Sequence, residues 1–150
     1  MAIARGAGTE IIRTIHLEDV DSTSSTLIFG EQHHIYTVLS VIIHCTARSG
    51  TEDGCLRIIG WDSFSGTTAT NCVLARTAVA ARETYVFNDR FSFNGFEPLA
   101  GSMSGALTTA AEQDVIADQT SAVSQVLEFF TDGASTTYDI NVTYIDQNNA

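Results

Sequence analysis

The sequence contains no lysine: its seven basic residues are all arginine, set against 18 acidic residues for a formal charge of −11. A nucleic-acid binder gains most of its affinity by releasing counterions from phosphates, which requires a basic face that this composition cannot build. Direct contact with DNA or RNA is therefore not expected, and docking on an anionic lipid surface is disfavoured for the same reason. Arginine without lysine favours fixed, forked contacts to carboxylates over solvated point charges, as at protein interfaces. A base-composition bias of the genome would leave the same signature.

Other absences narrow the chemistry. Cys45, Cys55 and Cys72 are odd in number and show no CxxC spacing, so neither a disulfide framework nor a zinc knuckle follows, and reduced, mostly buried thiols are expected. The opening stretch MAIARGAGTEII lacks the apolar region of a signal peptide. No apolar run approaches the roughly 20 residues that span a bilayer, and a soluble protein made in the cytoplasm is the expectation. Neither GWDSFSG nor GSMSG places serine at the centre of G-x-S-x-G, so there is no nucleophile elbow. Glu18, Asp19 and Asp21 in LEDVDSTSS begin like a calcium loop but lack its glycine and closing glutamate, which makes them a solvated turn. Paired carboxylates of the glycosidase type are set by space and not by spacing, so the chain order does not decide them. No catalytic, cofactor-binding or metal-binding residue is assigned, and no cofactor is expected. The partner-binding residues are left open.

What is present is a globular composition with 44% hydrophobic and 9% aromatic residues, including Phe87, Phe91, Phe93, Phe96, Phe129 and Phe130 in the second half. A chain of 150 residues is one domain by the usual prior, here residues 1–150, and buries roughly 70% of its unfolded surface in a single core.

The stretch His33 to Ala47, HHIYTVLSVIIHCTA, holds three histidines and a cysteine, all metal-binding types. Its residues separate by parity into Ile35, Thr37, Leu39, Val41, Ile43, Cys45 and Ala47 on one face and Tyr36, Val38, Ser40, Ile42, His44 and Thr46 on the other. That is a strand buried on one side and half buried on the other; β-branched residues crowd it, and a helix here would be apolar all round. Fifteen extended residues span roughly 50 Å, more than a small domain is thick, so a bulge or bend is expected. His34 and His44 share parity but stand roughly 33 Å apart, too far to ligate one ion. His33 and His34 would point to opposite faces, and a metal site would need His16 or a residue from another subunit.

Period two recurs. Glu83 to Phe93 puts Tyr85, Phe87, Phe91 and Phe93 on one side with Asp89 interrupting, and Tyr138, Ile140, Val142 and Tyr144 alternate with Thr137, Asp139, Asn141 and Thr143. Shorter strands are expected at Glu10–Leu17, Thr26–Phe29, Leu56–Trp61, Cys72–Ala75 and Gln125–Phe130, with turns at Ser49-Gly50, Asp53-Gly54, Asn94-Gly95 and Asp132-Gly133. Ala106 to Ala117 is consistent with a short helix or with an ordered loop. About eight strands without intervening helices predict an all-β fold, an antiparallel β-sandwich of jelly-roll type.

The segments EQHHIYTVLSVIIHCTA, NDRFSFNGFEP at Asn88 to Pro98 and YIDQNNA at Tyr144 to Ala150 resemble small β-rich virion structural proteins of tailed bacteriophages, especially those of aquatic bacteria. The resemblance runs in order through most of the chain and implies a particle component. Together with the acidic charge and the missing catalytic signatures, it leads to an expected capsid decoration or cement protein. Such a protein binds the outside of the major capsid protein shell as a homo-oligomer, with a trimer favoured. A neck, tail or fibre-base protein is the second reading. A glycan- or receptor-binding sandwich is the third, and it would expose aromatic platforms such as Trp61 or Phe64.

Overall fold

A computed structural model describes residues 8–48, 50–62, 69–98, 110–111, 122–133 and 136–149, with backbone alone at 61, 62, 69, 70, 97, 98, 122 and 123. The strands are β1 (Thr9–Val20), β2 (Ser24–Phe29), β3 (His34–Ala47), β4 (Asp53–Asp62), β5 (Ala69–Ala78), β6 (Thr84–Phe87), β7 (Phe91–Asn94), β8 (Phe96–Pro98), β9 (Ala122–Ser124), β10 (Val126–Thr131) and β11 (Thr137–Asn148). The expected helix or loop at Ala106 to Ala117 lies outside the described residues apart from Ala110 and Ala111.

One sheet has the order β1-β11-β3-β6, with β7 continuing β6 along the same edge of β3; the other has the order β2-β10-β4-β5. Every pairing is antiparallel. With β6 and β7 taken as one strand position, the chain forms a long ribbon in which β1 pairs with β11, β2 with β10, β3 with β6 and β7, and β4 with β5. Wrapping that ribbon brings β3 beside β11 and β4 beside β10. This is the jelly-roll winding, two Greek keys closing one core between two sheets. A two-stranded ribbon of β8 and β9 lies beside β4.

β3 and β11 form the centre. On β11 the alternation is unbroken, with Tyr138, Ile140 and Val142 fully buried and Tyr144 nearly so. On β3 the parity read from the sequence fails. Tyr144 pairs with Val38 and Thr143 with Ser40, so Leu39 is an extra residue, and a second irregularity leaves Thr46 unmatched. Each bulge flips the side-chain alternation. The core face is therefore Tyr36 and Val38 before the first bulge and Val41, Ile43 and Cys45 after it. A bulge was expected from the length; its position was not.

The same bulge explains the break between β6 and β7. β6 pairs with Val41 to His44 and β7 with Ile35 to Val38, so the interruption at 88–90 sits opposite Leu39 and Ser40. Tyr85, Phe87 and Phe91 are half buried against the core and Phe93 is buried.

Two close approaches require glycine. Gly60 takes φ +99 where β4 slips register against β5, and a Cβ on Gly95 would overlap the backbone of Glu31. Around Gly95 the chain closes one end of the sandwich: Gly95 N–H donates to the His34 carbonyl at 2.7 Å, and Gln125 N–H to the Gly95 carbonyl at 2.8 Å.

Candidate interaction surface

The residues singled out by chemistry are dispersed. His33 lies in the turn before β3 with φ 62, so it belongs to neither strand face. The bulge at Leu39 also separates His34 from His44. His34 shares the core side with Tyr36, whereas His44 points outward, with its Nδ1 2.9 Å from Thr84 Oγ1. Their shared parity is thus corrected by the same register shift. His16 is exposed and sits 3.2 Å from Glu18 Oε1. Glu18 and Asp19 belong to the bulged end of β1, where the Asp19 N–H donates to Asp139 Oδ1 at 3.0 Å, and Asp21 begins the following turn. Among the described residues no three His, Cys, Asp or Glu are disposed to hold a metal ion, and no helix is long and apolar enough to cross a membrane. Phe64 and the side chain of Trp61 lie outside the described residues.

Arginines are committed inside the molecule. Arg13 Nε reaches Asp146 Oδ2 at 3.1 Å, and Asp146, only 4% exposed, is also 2.7 Å from His34 Nδ1. Arg57 grips Glu128 through Nε at 2.8 Å and Nη2 at 2.5 Å, with its guanidinium 4.2 Å above the Phe130 ring. Arg76 bridges Asp53 at 3.0 Å and Asp132 at 3.5 Å. Arg48 donates to the backbone carbonyls of Gly50 and Val79. Arg57 uses two of its N–H groups on one carboxylate oxygen, the kind of multiple contact that an arginine-only cation set favours. The buried acids Glu52, Glu128 and Asp146 were not foreseen in the sequence. Asp146 continues the core-facing parity of Tyr138 to Tyr144, a signal that could have located it.

The two flanks of the sandwich differ. On one, β1 carries Glu10, Arg13, His16, Glu18 and Asp19 along a largely exposed strand. On the other lie the edges of β5 and β6, neither with a second strand partner among the described residues, and Arg76 is the only charged residue in either strand. Between β5 and β6 opens a cleft of about 350 Å³, floored by Ile43, Leu56, Val79 and Phe129 and walled by Ala75 and Phe87. Thr77, Thr84 and Tyr85 contribute its polar atoms. Gly54 keeps the floor open, since a Cβ there would press on Phe129 and Val79 at 3.1 Å. Tyr85 is held in place by its hydroxyl, which accepts the Ala80 N–H at 2.7 Å and donates to Glu83 Oε2 at 3.1 Å. Desolvation, followed by the Glu83 carboxylate, pushes its phenol pKa up. Val86, which also lines the cleft, is 60% exposed.

No protein-family model and no curated protein matches the sequence. Among solved structures, the chain is similar to a subunit of Bacillus endospore appendages, described as disulfide-linked pili, at 12% identity and TM-score 0.42, covering 100% of this chain and 97% of that one. It is also similar to the Clostridium thermocellum xylanase 10B CBM22-1–GH10 modules, at 14% identity and TM-score 0.44, covering 94% of this chain but 26% of that one. A third likeness is to a chain of the T13 particle of infectious bursal disease virus, at 11% identity and TM-score 0.42, covering 99% of this chain and 37% of that one. At TM-scores below 0.5 these likenesses carry no weight beside the strand order itself.

Proposed function

We propose that the protein is a non-enzymatic structural component of a bacteriophage particle: a capsid decoration, or cement, protein bound to the outside of the major capsid shell and associated with copies of itself as a trimer. The reading rests on the resemblance of three sequence segments to tailed-phage virion proteins. The structural observation that carries it is the commitment of Arg13, Arg48, Arg57 and Arg76 to partners within the chain. Four of seven cations are thereby neutralised or tied to backbone, and the remainder cannot form a basic face against 18 carboxylates. Packaged nucleic acid would repel such a protein from the shell interior, whereas an outer layer lies beyond the screening length of roughly 8–10 Å. The protein is made in the host cytoplasm and ends in the virion.

Copy counting by mass spectrometry of purified particles tests the reading. Hundreds of copies fit decoration; a dozen or fewer fit a neck, tail or fibre-base protein instead. A wash in about 1 M salt, where the screening length falls to about 3 Å, leaves a protein held by apolar strand faces in place. Protease or antibody must reach it on intact particles. Complete stripping by salt, or access only after the particle is opened, contradicts the placement.

A further inference from the structure

We infer that the β5–β6 cleft is a docking site for an extended segment of a different protein, uncharged or basic, with apolar side chains at alternate positions. The inference rests on the reading of the chain as an assembly component and names the side by which it engages its partner.

Three observations carry it. The cleft volume of about 350 Å³ is roughly twice that of an apolar cavity known to hold benzene, room for two medium-sized apolar side chains. Its two walls are the outer edges of both sheets. β5 pairs only with β4 and β6 only with β3 among the described residues, so each presents unpaired main-chain donors and acceptors. An extended backbone satisfies such an edge, and every second side chain then falls toward the cleft. Sheet edges are ordinarily protected by charged residues or proline, yet β5 offers one charge, and that one, Arg76, is taken by Asp53 and Asp132. β6, with the sequence TYVF, offers none.

Charge selects the occupant. Among the described residues no charged one lines the cleft, while the chain as a whole carries −11. A second copy would bring the same charge to the same place, and an acidic segment would be repelled in the encounter; a basic segment is drawn in and a neutral one is not opposed. Copies of this chain therefore associate through other faces, and this flank is left for the heterologous partner.

The test uses the full chain and a synthetic peptide probe, acetyl-Lys-Thr-Val-Thr-Val-Thr-Val-Lys-amide, followed by fluorescence anisotropy of a labelled form. Saturable binding is expected. It should weaken at least tenfold when alternate amides are N-methylated, when both lysines are replaced by glutamate, and in Ala75→Phe, which fills the cleft. Thr77→Lys, at an exposed position in the cleft lining, serves as a second variant that leaves the core untouched, and it should weaken the basic probe likewise. Absence of binding overturns the inference. So does binding that ignores both variants, binding insensitive to N-methylation, or self-association that either variant abolishes. Failure here leaves the particle reading standing, because copy counting and salt washing test that separately.

Discussion

The two flanks of the jelly roll are built from the same materials and end differently. Along β1 the edge is guarded: Glu10, Glu18 and Asp19 line it, and Arg13 is clamped onto a buried Asp146 that also holds His34. Along β5 and β6 it is bare, and the core behind it is reached through a cleft. Charge on an edge strand blocks pairing with another chain, so an edge left without it is available for pairing. The difference teaches that the molecule is sided, with the β1 edge guarded by its own charges and ion pairs and the β5 and β6 edges left to be covered by something else.

The largest effects should show that the flanks are equal in depth and differ only at the rim. Phe129→Ala removes the floor of the cleft, a side chain 3% exposed whose ring meets Tyr138 at 4.8 Å, and should cost about 3–5 kcal/mol in denaturant unfolding. Leu27→Ala on β2, also 3% exposed, should cost about 2–5 kcal/mol. A cheap Phe129→Ala would mean that the open flank has no true core beneath it.

Alkaline pH tests the interior that both flanks enclose. Desolvation pushes the phenols of Tyr36 and Tyr138 from 10.0 up to about 12. Between those values the folded state holds protons that the unfolded chain has released, so their contribution is complete below pH 10 and is lost as pH rises toward about 12. Absorbance at 295 nm should therefore show these two tyrosines ionising together with unfolding; smooth titration of all four near pH 10 in a folded protein would contradict the burial.

A smaller effect distinguishes the guarded rim. Arg13 pairs with the buried Asp146, so Arg13→Ala should cost about 0.5–1 kcal/mol, whereas Arg76, itself more than half exposed, pairs with acids that are also exposed, and Arg76→Ala should leave the unfolding midpoint unchanged. Equal losses would erase the distinction between a structural pair and a surface one. The smallest perturbation is thiol labelling. Cys72 on β5 is exposed, while Cys45 and Cys55 are buried and their thiol pKa values are raised by desolvation. Iodoacetamide should modify one thiol in the native protein and three after denaturation.

Much of this architecture is legible in the residues because period two is a local signal. β11 was readable in full, and Asp89 marked the gap between β6 and β7. The jelly-roll class followed from strand number and missing helices. What the residues could not disclose depends on register. The bulge at Leu39 moves the buried face of β3 by one residue, and nothing in VLSVI indicates where the extra residue sits. The short β8–β9 ribbon lacks a period long enough to read. Arg13 and His34 reach Asp146 across 133 and 112 positions, and the cleft exists only because the winding places β5 opposite β6. Trp61 and Phe64, named as possible platforms, remain an expectation from the sequence.

Amide hydrogen exchange, compared between the free chain and the chain assembled on its particle, tests the sidedness most directly. The account predicts that amides of β5 and β6 gain protection on assembly while those of Glu10 to Leu17 on β1 exchange as before. Protection gained along β1 with β5 and β6 unchanged would contradict it.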